Sequence, residues 1–331
     1  MKKRHTYLWA MIYGVLLTAF TVYILLDAFI IPHDIVYISD TVESTDTSES
    51  YTVGENDKTD DTDVTEENDD DTSVTEEETT DGGSGEIIIT DTSYICDEFS
   101  IVITTYREND TDIYVADIVL GSPSYLSAGL AGGAFGRNLT AKTSEIAEEV
   151  GAILAINGDY YGYRDTGYVM RNGYLYRTTA SDDEDAEDLV IYEDGTWEIV
   201  YEADVTAEEL AAAGAYQIFS FGPSLLRDGT ISVSKSTEVE QSRSSNPRTA
   251  VGYISDCHYV FVVSDGRTDE SEGLTLYELA GFMQSLGCTL AYNLDGGGSS
   301  TMWFLGTVVN NPTSSGNSIK ERSVSDIVYI G

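Results

Sequence analysis

Basic side chains are scarce in this chain. It holds 17 Lys and Arg against 58 Asp and Glu, which gives a formal net charge of −41 at pH 7. Nucleic-acid binding depends on basic patches that replace the counterions around phosphate groups. The composition therefore excludes nucleic acid as a partner. A small anionic substrate stays compatible with it, provided that a few arginines converge locally.

Histidine and cysteine are equally rare, with three of each. His5 and His33 flank the first apolar segment, so His258 alone belongs to the C-terminal domain. Neighbours in a strand point to opposite faces, so Cys257 and His258 are not expected to pair as nucleophile and base. A zinc site is not expected either, because the domain has few His and Cys side chains that could serve as ligands. Proton transfer must then come from carboxylates or tyrosines.

The cysteine pattern also excludes a disulfide framework, because the count is odd and no two cysteines lie close together in sequence. We expect buried, reduced thiols. One bridge stays conceivable outside the cell, and Cys257 with Cys288 is the pair to test.

Two N-terminal segments differ in composition from the rest. Leu8 to Leu26 is almost wholly apolar and follows Lys-Lys-Arg at residues 2–4. That length can cross a bilayer, and the basic flank would keep the N-terminus in the cytoplasm. We therefore expect residues 1–31 to form an uncleaved signal anchor, a transmembrane helix that places the remaining chain outside the cell. Membrane is thus a predicted partner.

Residues 32–86 are predicted to be a disordered acidic stalk. Within them, residues 40–86 hold 19 Asp or Glu and a single Lys, with many Thr and Ser. Such a segment cannot bury enough apolar surface to offset its chain entropy. The remaining residues, 87–331, are long enough to bury one large core.

The domain at 87–331 shows more strand patterns than helix patterns. Asn172-Gly173 and Asp228-Gly229 predict hairpin turns, and Thr275 with Glu278 predicts a capped helix. Hairpins and strand–helix–strand units occur together. We therefore predict an α+β or mixed α/β domain: a mixed, twisted β-sheet flanked by a few helices.

Three carboxylates follow predicted strands. Asp159 comes after strand 152–156, Asp265 after strand 259–263, and Asp295 at the end of the apolar run that begins at Leu290. Each has a glycine nearby. If the strands are parallel neighbours, their ends meet at one sheet edge and the three side chains gather there. Any one of them alone could equally cap a turn, but the recurrence favours a catalytic site.

The run LAYNLDGGGSSTMWF carries the strongest motif. Its glycines lose more backbone freedom on folding than other residues, so a folded domain keeps them where the backbone turns sharply or approaches a ligand. Arginines elsewhere could converge on this turn as a bidentate phosphate clamp, or could simply be ion-pair partners. Tyrosines cluster between residues 160 and 176, as aromatic rims of sugar sites do, although tyrosine is also common in strands.

Several segments together resemble the phosphodiester glycosidase family: AINGDYYG, FSFGPSLLRDG, NPRTAVGY, VVSDGR, NLDGGGSSTMWF and ERSVSDIVYI. The resemblance runs over roughly residues 110–330. It implies hydrolysis of the bond between sugar C1 and a phosphate oxygen. Because phosphate is a good leaving group, strong general-acid help is less necessary than for an ordinary glycoside.

The resemblance implies a site built from carboxylates and phosphate donors. The expected catalytic residues are Asp295, Asp265 and Asp159, with nucleophile and acid/base not assigned among them. The expected substrate-binding residues are Asn157, Arg171, Arg248, Arg267, Asn293, Gly296, Gly297, Gly298, Ser299, Ser300 and Arg322. No cofactor is required, although a divalent cation could bind among the carboxylates.

The expected substrate is a sugar-phosphate glycan of the cell wall or an exopolysaccharide. Two other functions stay open at this stage. A surface module could bind such glycans without cleaving them. A metal-dependent phosphodiesterase would cut the P–O bond instead, and would need clustered Asp or Asn ligands.

Overall fold

The fold was analysed in a computed structural model of the chain. The structure describes residues 8–31, 33–37, 87–237, 245–315 and 318–331. The predicted stalk at 32–86 lies almost wholly outside these ranges, and its disorder stays a prediction. Residues 33–37 are the exception, because they form a short strand paired with residues 134–137.

The described part of the chain is mostly β-structure with a few helices. The α-helices are α1 Leu8–Phe29, α2 Thr143–Val150, α3 Ala207–Ala212 and α4 Leu276–Ser285. The strands up to the middle of the chain are β1 His33–Tyr37, β2 Ile88–Thr90, β3 Ser93–Ile95, β4 Phe99–Glu108, β5 Thr111–Leu120, β6 Leu126–Leu130, β7 Ala134–Arg137, β8 Ala141–Lys142, β9 Leu154–Asn157, β10 Val169–Arg171, β11 Tyr174–Arg177, β12 Glu187–Tyr192 and β13 Trp197–Tyr201. The remaining strands are β14 Ala215–Phe219, β15 Ser224–Arg227, β16 Thr230–Ile231, β17 Arg248–Ser255, β18 His258–Ser264, β19 Leu290–Leu294, β20 Met302–Phe304, β21 Thr307–Val308, β22 Thr313–Ser315, β23 Ser318–Ile319, β24 Ser323–Val324 and β25 Asp326–Ile330.

Three sheets carry the domain. The largest has nine strands in the order β16-β15-β19-β17-β18-β5-β4-β3-β2. One five-stranded sheet has the order β21-β20-β9-β25-β6, and the other has the order β11-β10-β14-β12-β13. All ladders between these strands are antiparallel. The fold is therefore α+β, and the expectation of a mixed parallel and antiparallel sheet is wrong.

Local turn chemistry explains the antiparallel arrangement. Asn172 and Gly173 both have positive φ in the turn between β10 and β11, as do Asp228 and Gly229 between β15 and β16. Two-residue turns of this kind return the chain directly beside itself. The predicted capping boxes are also present, for example Thr275 with Glu278 at the start of α4.

The main core lies between the sheets. It joins side chains from the nine-stranded sheet, such as Ile101 and Phe261, to side chains from the β9 sheet, such as Leu154 and Ile156. β4 begins with alternating burial, so one face of the strand turns toward this core. A second cluster packs α4 against the other face of the nine-stranded sheet, and a third packs α2 on the β9 sheet. These contacts hold the ends of β9, β18 and β19 in fixed positions.

The N-terminal helix α1 covers the segment expected to cross a membrane. Within the part of the chain that the structure describes, no helix is both long and apolar enough for a membrane span. The prediction for Leu8–Leu26 is therefore corrected.

The cysteines are not paired. Cys96, Cys257 and Cys288 are all free thiols, so no bridge joins Cys257 to Cys288. Burial raises the pKa of Cys288 to about 12, because the thiolate would lose its hydration there.

Candidate active site

The three predicted carboxylates do not follow neighbouring parallel strands. Asp159 follows β9 in a five-stranded sheet, whereas Asp265 and Asp295 follow β18 and β19 of the nine-stranded sheet, with β17 between them. The two sheets meet at Asp295, whose backbone N–H donates to the carbonyl of Gly158 at 3.3 Å. Asp159 and Asp295 are therefore brought together across a sheet junction, by tertiary packing that no strand pattern encodes.

A cavity of about 180 Å³ opens at this junction. It is lined by Asp159, Tyr160, Tyr163, Asp295, Ser299, Arg322, Ser323, Val324 and Ser325. The predicted residues Asp159, Asp295, Ser299 and Arg322 thus share one cavity. The sequence motifs did not predict the tyrosine pair or the segment 323–325 as site residues, although the tyrosine cluster in the sequence pointed toward the pair.

Asp295 is the most directly placed carboxylate in this cavity. Its Oδ2 accepts hydrogen bonds from Ser299 Oγ at 2.6 Å and from Arg322 Nη2 at 2.8 Å. Burial raises the pKa of Asp295, while the Arg322 charge and these hydrogen bonds oppose the rise. Arg322, whose side chain is 44% exposed, and Arg164 both lower the pKa of this carboxyl.

Ser299 connects the acid and the arginine. Its hydroxyl donates to Asp295 and accepts from Nε of Arg322 at 2.9 Å and from Nη2 of the same guanidinium. The three side chains form a closed hydrogen-bonded ring at the cavity wall. This arrangement presents a guanidinium and a hydroxyl beside an acid, as binding of a phosphate ester requires.

Asp159 belongs to a buried charge cluster. Arg171 Nη2 lies 2.8 Å from Asp159 Oδ2 and 2.8 Å from Asp326 Oδ2, and all three side chains are buried. Asp159 also accepts from the backbone N–H groups of Tyr161 and Ser220, at 2.9 and 3.2 Å. Arg171 is thus an interior counter-ion, and the expectation that it binds substrate directly does not match its position.

Asp326 was missed by sequence reasoning. It begins β25 in ERSVSDIVYI, where an acid before an apolar strand resembles an ordinary turn residue. Its Oδ1 is buried without a hydrogen-bond partner, and burial raises the pKa of Asp326 to about 8 although Arg171 opposes the rise. Two carboxylates share one guanidinium here, so a proton on Asp326 balances the cluster.

Asp265 lies in a different environment. Its Oδ1 accepts from Asn310 Nδ2 at 3.2 Å and from the Asn311 backbone N–H at 2.8 Å. Its Oδ2 accepts from Asn311 Nδ2 at 3.0 Å and from the Tyr114 hydroxyl at 3.3 Å. These donors saturate a side chain that is only 3% exposed. The arrangement is that of a structural cross-link, and Asp265 is not among the residues that line the cavity.

The glycine run is packed tightly against its neighbours. A Cβ on Gly296 would lie 2.9 Å from the Pro247 carbonyl oxygen, and one on Gly298 would lie 2.8 Å from Cα of Ser314. Gly297 has φ +60°, and its N–H donates to Pro247 at 2.8 Å. The predicted close approach exists, but the partner in each case is protein backbone.

Arg248 and Arg267 lie beside this glycine turn. Arg248 is buried and donates from Nε to the Leu274 carbonyl at 2.9 Å. Arg267 donates to Asn246 Oδ1, and its guanidinium sits beside Gly297. Neither arginine lines the 180 Å³ cavity described above. Of the arginines predicted to bind phosphate, Arg322 alone lines this cavity. Of the two predicted serines, Ser299 alone lines the cavity, and Ser300 is fully buried.

The two predicted sugar-binding asparagines are buried. Asn157 donates to the Asp295 carbonyl at 2.6 Å and accepts from Thr249 Oγ1 at 2.7 Å and the Thr301 N–H at 3.2 Å. Asn293 donates to the Gly222 carbonyl at 2.8 Å. Their exposures of 0% and 1% fit a role in positioning Asp295 rather than direct contact with a sugar.

Tyr160 and Tyr163 form an aromatic wall of the cavity. Their rings stack with centroids 4.7 Å apart, and Tyr163 is 42% exposed. Such a surface packs well against the apolar face of a sugar ring. No group of three or more His, Cys, Asp or Glu side chains that could hold a metal ion occurs among the described residues.

Comparison with known proteins now identifies the family. The model of the phosphodiester glycosidase family matches residues 150–331, a range that contains Asp159, Asp295 and Arg322. The chain belongs to the phosphodiester glycosidase family. This confirms the resemblance found in the sequence motifs.

Individual relatives of this chain include an uncharacterized SPbeta prophage-derived protein YomE of Bacillus subtilis, 33% identical over 201 residues that cover 59% of this chain and 30% of YomE. The mouse N-acetylglucosamine-1-phosphodiester alpha-N-acetylglucosaminidase is 29% identical over 206 residues, which cover 57% of this chain and 39% of the mouse protein. This chain thus spans less than half the length of these curated relatives.

The catalytic domain of the zebrafish N-acetylglucosamine-1-phosphodiester alpha-N-acetylglucosaminidase, auto-inhibited by its pro-peptide, has a similar structure. The TM-score is 0.56 at 22% identity, with 70% of this chain and 82% of the zebrafish chain covered. A hypothetical protein from Synechocystis gives a TM-score of 0.52 at 13% identity, covering 71% of this chain and 62% of the other. At these identities the likeness shows a shared fold.

Proposed function

We propose that this phosphodiester glycosidase hydrolyses the bond between sugar C1 and oxygen in a sugar-1-phosphodiester, and that the chemistry takes place at Asp295. The observation that supports the proposal most directly is the cavity in which Asp295, Ser299 and Arg322 form one hydrogen-bonded ring. A carboxyl, a hydroxyl and a guanidinium are the groups needed to meet a sugar carbon and its phosphate together.

Arg322 is the proposed phosphate ligand. Its guanidinium can donate two parallel hydrogen bonds to phosphate oxygens, and the exposed part of the side chain leaves room for it to turn from Asp295 toward the substrate. When Arg322 turns away, Asp295 loses a cation that lowers its pKa. Substrate binding then favours the protonated acid, which can transfer its proton in the reaction.

Asp159 would act as a fixed negative charge. Arg171 and two backbone N–H groups hold its carboxylate at the cavity wall. The transition state of glycoside cleavage has oxocarbenium character, and a nearby carboxylate stabilises that positive charge. Tyr160 and Tyr163 would pack against the sugar ring. Asp265 has no role in this mechanism beyond support of the fold.

The identity of the substrate is part of the proposal. A sugar phosphodiester in a wall polymer or exopolysaccharide fits the family, and the mouse relative is an N-acetylglucosamine-1-phosphodiester alpha-N-acetylglucosaminidase. The extracytoplasmic setting stays a prediction from sequence. The alternatives are a non-catalytic glycan-binding module and a metal-dependent phosphodiesterase that cuts the P–O bond.

One experiment separates the three functions. The protein is incubated with N-acetylglucosamine-1-phospho-methyl-mannoside in water enriched in heavy oxygen, with and without EDTA. We expect heavy oxygen in the released sugar and no effect of EDTA. Heavy oxygen in the phosphate, together with loss of activity in EDTA, would support the phosphodiesterase. Binding of substrate without turnover would support the binding module.

A further inference from the structure

A second cavity, of about 250 Å³, lies beside the first. Its charged lining is dominated by Arg137, Arg164 and Arg177, and its aromatic lining consists of Phe135, Tyr161 and Tyr176. The whole chain has 17 basic residues against 58 acidic ones. Three arginines around one small cavity are therefore a strong local departure from the composition of the protein.

The positive charge of this cavity is weakly compensated. Asp165 is the acidic residue in the lining, and its Oδ1 lies 2.8 Å from Arg137 Nη1. The Asp165 side chain is 70% exposed, and ion pairs at such sites contribute little because water screens them. An incoming anion can therefore compete for Arg137 at small cost.

The other two arginines are held in place by carbonyl groups. Arg177 donates from Nε to Gly167 at 2.6 Å, and from Nη1 to Tyr161 and Arg164 at 3.0 and 2.7 Å. Arg164 donates from Nη1 to the Ser220 carbonyl at 2.7 Å. Carbonyl oxygens orient a guanidinium without neutralising it, so the cavity keeps fixed positive charge.

Burial makes this charge costly in the absence of an anion. The pKa of Arg177 is lowered, mainly by desolvation. The charge of Asp159 opposes this as the next largest effect, Arg171 and Arg164 lower the pKa further, and Asp165 raises it. A bound anion would relieve the repulsion among the arginines. Arginine forks match the oxygens of phosphate in geometry as well as in charge.

Aromatic rings supply the rest of the wall. Phe135 stacks on Tyr161 and on Tyr176, with centroid distances of 5.0 and 4.9 Å. Stacked rings beside arginines are suited to a sugar or polyol that carries phosphate, because the rings cover its C–H faces while the guanidinium groups bind its anion.

The two cavities share one chain segment. Tyr160 and Tyr163 line the first cavity, while Tyr161 and Arg164 line the second. The Arg164 guanidinium lies 5.7 Å from the centroid of the Tyr160 ring. A chain bound at Asp295 can therefore continue past this segment into the second cavity.

We propose that the cavity around Arg137, Arg164 and Arg177 is a second phosphate subsite, which binds a further phosphodiester of the same substrate. The preferred substrate is then a repeating phosphodiester polymer, and a ligand with a single phosphate fills only part of the site. The link to cleavage rests on the proposed function, but anion binding by the subsite does not.

Binding of glycerol phosphate oligomers tests the subsite. A trimer of glycerol phosphate and its single-phosphodiester counterpart contain no sugar C1 bond, so calorimetry reads their binding to the full-length protein without turnover. We expect the trimer to bind at least tenfold more tightly than the monomer. Arg137→Gln should remove this preference. Arg107→Gln is the matched control, because Arg107 forms a surface ion pair with Asp112 at the same distance of 2.8 Å.

Three results would overturn the subsite: equal affinity for trimer and monomer, a preference that survives Arg137→Gln, or tighter binding of a trimer of galacturonic acid, whose anions are carboxylates. The result is separable from the proposed function. An Arg137-dependent preference for the trimer, with no hydrolysis of N-acetylglucosamine-1-phospho-methyl-mannoside in the heavy-oxygen assay, would support the subsite and contradict the proposed function. Hydrolysis of N-acetylglucosamine-1-phospho-methyl-mannoside, with equal binding of the trimer and the monomer, would support the proposed function and contradict the subsite.

Discussion

At the residue scale, the environment of each aspartate distinguishes its role better than its sequence context does. Asp265 and Asp295 both follow apolar strands and precede glycine. The structure surrounds Asp265 with four neutral donor groups from Tyr114, Asn310 and Asn311. Asp295 instead meets an exposed arginine and a serine at a cavity. The sequence pattern predicts that each carboxyl lies at a strand end. The groups that hydrogen-bond to it come from distant segments of the chain, which the pattern does not reveal.

Asp295→Asn should leave the fold intact and remove activity. The amide can still accept from Ser299 or Arg322, so we expect a melting temperature close to that of the wild type. Loss of the acid should lower kcat by at least about 100-fold, the usual contribution of general acid–base catalysis. Release of sugar from the phosphodiester substrate and a thermal melt provide the two measurements. Normal kcat in this variant would remove Asp295 from the mechanism.

Asp326 should make stability depend on pH. Its folded-state pKa of about 8 lies above its ordinary value, so the native state binds the proton more tightly than the unfolded state. Its stabilising contribution is complete below the ordinary pKa near 4 and is lost as pH rises toward 8. Each pH unit in this window can cost up to about 1.4 kcal/mol.

Asp326→Asn mimics the protonated acid, so its free energy of unfolding should fall less between pH 5 and pH 8 than that of the wild type. Urea denaturation at the two pH values measures this. Asp112→Asn removes the acid of an exposed ion pair with arginine and should keep the wild-type slope. An unchanged slope in Asp326→Asn would show that Asp326 ionises normally.

At the scale of elements, short-range chemistry was predictable and long-range pairing was not. Asn-Gly and Asp-Gly located hairpins, and Thr with Glu three residues later located the starts of α3 and α4. These features depend on residues that are adjacent or one turn apart. The assignment of β9 to one sheet and β19 to another depends on packing between residues more than a hundred positions apart, which no local pattern reveals.

Asp265→Asn should loosen the connection between β18 and the segment after β21. The new NH2 group would replace one acceptor oxygen and face the two donors that this oxygen now binds, either those of Asn310 and Asn311 or those of Asn311 and Tyr114. We expect a loss of about 2–4 kcal/mol in the free energy of unfolding. Asp194→Asn changes an exposed turn acid and should cost under about 1 kcal/mol. A stable but inactive Asp265→Asn protein would instead make Asp265 catalytic.

At the scale of the whole molecule, net charge opposes the binding of an anionic substrate. The formal charge of −41 repels phosphodiesters at long range, while the role proposed for Arg322 is to attract them at contact. Salt screens the first effect more than the second, because the Debye length falls from about 14 Å to about 4 Å between roughly 0.05 M and 0.5 M NaCl. Composition alone specified this surface property, but gave no indication of where the few cations converge.

Raising NaCl over this range should lower KM for a phosphodiester substrate while kcat changes little. The melting temperature should rise by a few degrees, because self-repulsion of the folded state is screened. Initial rates and melts at four salt concentrations are sufficient. A KM that rises with salt would mean that local arginines dominate the encounter, and would contradict the role assigned to net charge.

Asn157 links the β9 sheet to the nine-stranded sheet through its side chain. From the end of β9 its amide contacts the Asp295 carbonyl after β19 and the Thr249 hydroxyl on β17. The buried N–H of Thr301 donates to Oδ1 of the same side chain at 3.2 Å. In hydrogen–deuterium exchange this amide proton should be among the slowest to be replaced, since its release requires the sheets to part and the active site to come apart with them.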